Sequence, residues 1–129
     1  MSKHIHAFAI LVPDYDAGIA FYVDQAGFTL VEDTSLSETK RWVLIAPDAA
    51  AGTRILLARA DGPDQTQAIG NQTGGRVGFF LHTDDFDASH KAMLAKGVVF
   101  EEAPRTETYG KVAVWRDPWG NRWDLLQLT

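Results

Sequence analysis

The stretch "WRDPWGNRWDLLQLT", residues 115–129, sets Trp115, Trp119 and Trp123 around a tight turn and then places a carboxylate, Asp124, on the strand that follows. A carboxylate in that setting has three uses: ligating a divalent metal, orienting or charging a histidine, or closing an ion pair with Arg54, Arg76 or Arg122. His82 is the histidine best suited to chemistry, because a neutral imidazole beside a carboxylate can shuttle a proton. The bland alternative is a histidine at a cavity rim, hydrogen-bonded to a neighbour. His4 and His6 lie at the start of the chain, where partly exposed structural histidines are common, and His90 lies on a helix whose charged neighbours suggest exposure to solvent. Cysteine is absent, which excludes disulfides, zinc-thiolate sites and cysteine nucleophiles.

The elements that must position these residues emerge from an internal repeat. "LVPDYDAGIAFYVDQAGFTLVED" aligns with "LHTDDFDASHKAMLAKGVVFEE", so that Asp14-Tyr15-Asp16-Ala17 falls on Asp85-Phe86-Asp87-Ala88. An alternating apolar strand precedes each, "IHAFAILV" and "RVGFFLHT". The acidic pairs suit helix N-termini, Ile19, Tyr22 and Val23 and then Ala88, Ala92 and Ala95 recur at helical spacing, and Gly27 and Gly97 stand where a helix ends. Three strand candidates follow each helix: "FTLVED", "KRWVLIAP" and "TRILLARA", then "VVFEE", "KVAVWRD" and "RWDLLQL". The pattern predicts an α+β domain over 1–129: a βαβββ module over 3–60, a polar glycine-rich linker or mobile loop over 61–75, and a second module over 76–129. The segment "GNQTGGR" has glycines but not the strand-to-helix setting of a phosphate loop, and reads as a hinge.

With 129 residues, 46% of them hydrophobic, the chain can bury a core of its own. The net charge is −5, with Lys and Arg scattered, which argues against a nucleic-acid partner. No stretch approaches the roughly 20 apolar residues of a membrane span and no signal segment opens the chain, so a soluble cytoplasmic protein is expected.

Two stretches carry a resemblance to a known family. "VPDYDAGIAFYVDQAGF" is similar to the first strand-to-helix junction of the vicinal oxygen chelate superfamily, and "DPWGNRWDL" to its closing Asp-Pro-x-Gly-x-x-x-Glu turn and strand. That superfamily includes glyoxalase I, bleomycin- and fosfomycin-resistance proteins and extradiol dioxygenases, and the resemblance covers nearly the whole chain. It implies paired βαβββ modules forming a curved, partly open mixed sheet. In metal-dependent members, residues on the first and last strand of each module hold one divalent ion with open positions for substrate oxygens. The first such position, seven residues before the helix-starting Asp14, is Ala7 here; its counterpart before Asp85 is Gly78; the closing strands supply Leu56 and Asp124. Of the four, Asp124 alone has a donor. His6 is one residue away, and a one-residue slip turns a strand side chain to the opposite face unless a bulge intervenes.

Residues sharing parity with those positions should face one cavity: Ala7, Ala9 and Leu11; Arg54, Leu56 and Ala58; Gly78, Phe80 and His82; Val112 and Val114; Arg122, Asp124 and Leu126. That lining is mostly apolar, with small residues leaving room for an organic ligand. Trp42, Tyr109 and Trp119 are placed near its mouth, Trp119 as a ligand clamp or a dimer contact, and Trp123, of opposite parity, should pack beneath a helix. The expected function is therefore a homodimeric superfamily protein that binds a small molecule without the usual metal, through Trp42, Leu56, Gly78, Phe80, Tyr109, Val114 and Trp119. His82 and Asp124 would be its catalytic pair if it is an enzyme. The alternatives are a metal-dependent lyase, isomerase or dioxygenase with a displaced Zn, Ni, Mn or Fe site, and an antibiotic-sequestering resistance protein.

Overall fold

A computed structural model describes residues 1–129, which divide into two compact units, Met1–Ile69 and Gly70–Thr129. Each unit holds one mixed, open sheet, in agreement with the α+β expectation.

In the first unit the elements run β1 (Ala7–Val12), α1 (Tyr15–Ile19), a π-helical segment (Ala20–Gln25), β2 (Thr29–Ser35), β3 (Arg41–Ala46), β4 (Arg54–Arg59) and α2 (Gly62–Ala68). The sheet order is β1-β4-β3-β2, with β1 parallel to β4 and the other pairs antiparallel. Alternation decides the faces: Ile10, Val12, Ile55 and Leu57 are buried on the core side, while Ala7, Leu11, Leu56 and Ala58 stay partly open on the other. Gly18 is buried where a Cβ would stand 3.1 Å from Val12 and 3.2 Å from Leu57, so a small residue lets α1 approach β1 and β4 closely. Asp14 caps α1 by accepting the Ala17 N–H at 2.8 Å, an arrangement worth about 1 kcal/mol. The helix widens after Ile19, with the Ala26 N–H reaching the Phe21 carbonyl, and Gly27 at φ 87° ends it. The β1–β4 register is unbroken, so no bulge carries His6 inward; His6 precedes β1, is exposed, and accepts the Arg54 N–H through its carbonyl.

The stretch 61–75, read from composition as a linker or mobile loop, contains helix α2. Pro63 suits the first turn, and Gln65 accepts the Asp61 N–H through its side chain at 2.9 Å. These local bonds supply order that the polar composition conceals.

The second unit contains β5 (Phe79–His82), α3 (Phe86–Ala95), β6 (Val99–Phe100), β7 (Arg105–Glu107), β8 (Gly110–Arg116) and β9 (Arg122–Leu128). Its sheet runs β5-β9-β8-β6, with β7 also paired to β8. Strand β7 was not expected, because "RTE" shows no apolar alternation; it forms as one arm of a hairpin on β8, pairing Arg105 with Val112. Asp85 caps α3 through the Ala88 N–H, and Gly97 at φ 88° closes it while the Val98 N–H bonds the Met93 carbonyl. On the core side Trp123 stacks on Trp115 at 4.8 Å and lies tilted against Phe79 at 5.0 Å. The burial expected for Trp123 is thus met against neighbouring aromatic rings. His90, expected in solvent, is half-buried, stacked on Phe86 at 5.7 Å and meeting the edge of Phe100 at 4.5 Å.

Candidate functional site

On the open face of the first unit, the β1–β4 and β3–β4 registers align Ala9, Leu56 and Leu44 in one row across the sheet. At the end of this face lies a cavity of about 450 Å³. Trp42, Leu56 and Ala58 contribute its apolar part, and Lys40, Arg59 and Asp61 its charged part. The volume falls within the range of small-molecule sites, which combine apolar walls with a few polar groups. Arg41, which also borders the cavity, is committed elsewhere: it bonds Asp33 through two nitrogens, at 3.1 and 2.7 Å, and Asp16 at 2.8 Å, while its guanidinium lies 5.3 Å from the Tyr15 ring centre. That bidentate bond holds the Asp33 carboxyl below its ordinary pKa. Of the residues assigned from the sequence, Trp42 and Leu56 meet here. Tyr15, Lys40, Arg59 and Asp61 were missed, because they come from the ends of different elements and share no periodic signal.

The second unit presents another row. Phe80 on β5, Asp124 on β9 and Val114 on β8 are direct cross-strand neighbours. Phe80 is 59% exposed, unusual for a phenylalanine within a sheet. The Oδ1 atom of Asp124 is buried and meets no hydrogen-bond donor of the protein. Burial raises the Asp124 pKa above its ordinary value, and Glu102 adds to the rise while the positive charges of Arg105 and Arg122 oppose it. The expected ion pair with Arg54, Arg76 or Arg122 does not form. Arg122 instead bonds Glu101 at 3.0 Å, Arg76 bonds the Val77 carbonyl, and Arg54 belongs to none of the ion pairs.

His82 lies one row beyond, opposite Leu126, exposed and sharing no hydrogen bond with Asp124. The two residues share a sheet face without forming a catalytic pair in this structure. A network absent from the sequence reading stands beside Asp124: Arg105 bonds Glu102 at 2.9 Å and Glu107 at 2.7 Å, and Glu102 also accepts the Val114 N–H. The signal for it was faint, three charged residues separated by Ala103-Pro104 and by Thr106.

Two further assigned residues have structural surroundings. A Cβ on Gly78 would stand 2.3 Å from the Thr73 Cγ2, so the space taken to be open at this glycine is filled by a threonine methyl. Trp119 belongs to the turn organised by buried Asp117, whose Oδ1 accepts the N–H groups of Trp119, Gly120 and Asn121. Tyr109 is 47% exposed in the β7–β8 hairpin.

The residues present do not fit the metal of the resembled family. Ala7, Leu56 and Gly78 offer no side-chain donor, and nowhere do three His, Asp or Glu side chains converge in a group suited to an ion.

Comparison with known proteins matches residues 4–125 to the family described as Glyoxalase/Bleomycin resistance protein/Dioxygenase superfamily. An uncharacterized protein of Shewanella frigidimarina (strain NCIMB 400) is 48% identical over 130 residues, covering 100% of this chain and 96% of its own. A 2-epi-5-epi-valiolone epimerase of Actinomyces sp is 28% identical over 96% of this chain and 79% of its own. Among solved structures, TnmS3, an antibiotic binding protein from Streptomyces sp. CB03234, superposes with a TM-score of 0.81 at 30% identity, covering 99% of this chain and 98% of its own.

Proposed function

Since the chain belongs to the glyoxalase/bleomycin resistance protein/dioxygenase superfamily, we propose that it binds a small, planar and partly apolar organic molecule in place of a divalent metal. The observation that carries this reading is the cavity of the first unit: Leu56 stands at a position where metal-dependent members place a donor, and with Trp42 it lines about 450 Å³ of space. An aliphatic side chain beside an indole offers stacking and apolar contact, which suits a ring system. The likeness to an antibiotic binding protein supports the same reading. Phe80, Val114 and Asp124 on the second unit offer a further recognition surface of similar character, with one carboxylate in an apolar row.

Titration with planar aromatic compounds tests the proposal. Binding quenches tryptophan fluorescence and raises the melting temperature by mass action, by about 2.7 kcal/mol of stability at one hundred times Kd. Trp42→Ala weakens binding about tenfold, the loss expected for a stacked aromatic contact. Chelators leave the melting temperature unchanged. Near-equimolar Zn, Ni, Mn or Fe in the purified protein, with stability lost on its removal, overturns the reading.

Homodimerisation belongs to the same proposal. Phe8, at 44% exposure, and Leu30 and Val31 on edge strand β2 leave apolar surface open in a single chain, and light scattering at the mass of one chain overturns this part.

An enzymatic reading draws support from the likeness to an epimerase and from the raised pKa of Asp124, which favours proton transfer. In it His82 and Asp124 act as acid and base once a substrate bridges them. His82→Ala then lowers turnover by about 100-fold while binding persists; unchanged turnover removes His82 from the chemistry.

A further inference from the structure

Two cations border the cavity of the first unit with their charges unanswered. Lys40 and Arg59 line it, and neither enters an ion pair. Arg41, the third cation of the lining, differs from both. Its three guanidinium nitrogens all bond Asp33 or Asp16, and neither of those carboxylates borders the cavity. Asp61 is the single carboxylate of the lining, so the two free cations outnumber it in a chain whose net charge is −5. The positive potential is local to this cavity.

The backbone holds both cations in place. Lys40 closes the turn between β2 and β3, where its carbonyl accepts the Leu36 N–H at 2.8 Å and its own N–H bonds the Ser37 Oγ at 3.1 Å. Arg59 ends β4, in register with Val12 of β1. Both residues are exposed, so a ligand in the cavity meets their side chains without displacing a protein partner. The apolar part of the lining is built on the same strands. Leu44 and Leu56 are cross-strand neighbours, and by alternation the next row on their face holds Trp42 and Ala58.

Resting on the binding function proposed above, we infer that the ligand of this cavity is a planar organic anion, its ring system on the Trp42–Leu56 surface and its carboxylate towards Lys40 and Arg59. The arginine offers a planar fork of donors that matches a carboxylate, and the lysine a mobile point charge. The same two charges disfavour a cationic ring system of equal shape.

The test is isothermal titration calorimetry of the full-length chain with 2-naphthoate and anthracene-2-carboxylate, each beside its uncharged carboxamide and its cationic aminomethyl analogue. Wild type is expected to bind at least one series in the order acid, amide, ammonium, with the acid favoured over the amide by about 5- to 10-fold, as two exposed charge contacts imply. That preference should shrink as salt rises from about 0.01 to about 1 M. The double variant Lys40→Gln, Arg59→Gln is expected to bring acid and amide within about twofold while leaving amide affinity unchanged, whereas Trp42→Ala weakens all three members alike. Should the double variant lose its near-UV dichroism, the two single variants take its place, each removing part of the preference. Equal binding of acid and amide by wild type, tightest binding of the ammonium, or a preference that survives in the variants overturns the role of Lys40 and Arg59 and leaves the binding function standing. Failure of every compound to bind at millimolar concentration overturns both.

Discussion

Replacing Asp124 with valine should stabilise this protein at neutral pH. The Oδ1 of Asp124 is buried without a donor, and its cross-strand neighbours Phe80 and Val114 are apolar. Leaving such a group unsatisfied costs about 1–3 kcal/mol. Asp124 is only partly buried and Arg105 and Arg122 attract it, which places the cost near the lower end, about 1 kcal/mol. Valine removes that cost and brings a strand-favouring side chain between two apolar neighbours. In a chain of this size the gain corresponds to a melting-temperature rise of about 3–5 °C. The pH dependence has a definite sign. Folding raises the Asp124 pKa above 3.8, so below 3.8 the carboxyl is protonated in both states and its charge costs nothing. The penalty grows as pH rises from 3.8 through the folded value and is full above it, so the advantage of Asp124→Val should be largest at pH 7 and shrink towards pH 4. Differential scanning calorimetry of both proteins across that range measures it. A variant less stable than wild type at pH 7, or a gain that increases as pH falls, refutes the reasoning and indicates that Asp124 is paired in solution.

The turn before β9 should be the least tolerant part of the second unit. Asp117→Ala removes the acceptor of three backbone N–H groups and of the Asn121 side chain at 2.7 Å, for an expected loss of about 3 kcal/mol in urea unfolding; a loss below 1 kcal/mol would mean that the turn holds without it. Gly70 has φ 74°, and a Cβ there would stand 1.8 Å from the Trp119 carbonyl oxygen, so Gly70→Ala should cost more than the roughly 1 kcal/mol of conformational strain alone and lower the melting temperature by more than about 4 °C. Gly78→Ala should destabilise through the Thr73 methyl 2.3 Å away, and a second change, Thr73→Ser, should recover part of the loss; no recovery in the double mutant would place the strain elsewhere.

Strand parity was readable directly because side chains alternate with period two whatever surrounds them: Ile10, Val12, Leu57 and Leu125 are buried, and Leu56 and Asp124 lie on the opposite face of their strands. The caps at Asp14 and Asp85 and the stops at Gly27 and Gly97 were readable for a similar reason, since each is decided by a few neighbouring backbone groups. That Ala7, Leu56 and Gly78 carry no side-chain donor is likewise a matter of residue type. Partnerships were not readable. Arg122 had Asp124 two residues away in the sequence and pairs with Glu101 instead; Gly78 showed a missing side chain but not the Thr73 methyl that fills its place; Tyr15, Lys40 and Arg59 border one cavity from three separate parts of the chain. Alternation and capping depend on local backbone geometry, whereas the partner of a charge, the occupant of a gap and the walls of a cavity depend on which distant segments tertiary packing brings within a few ångströms.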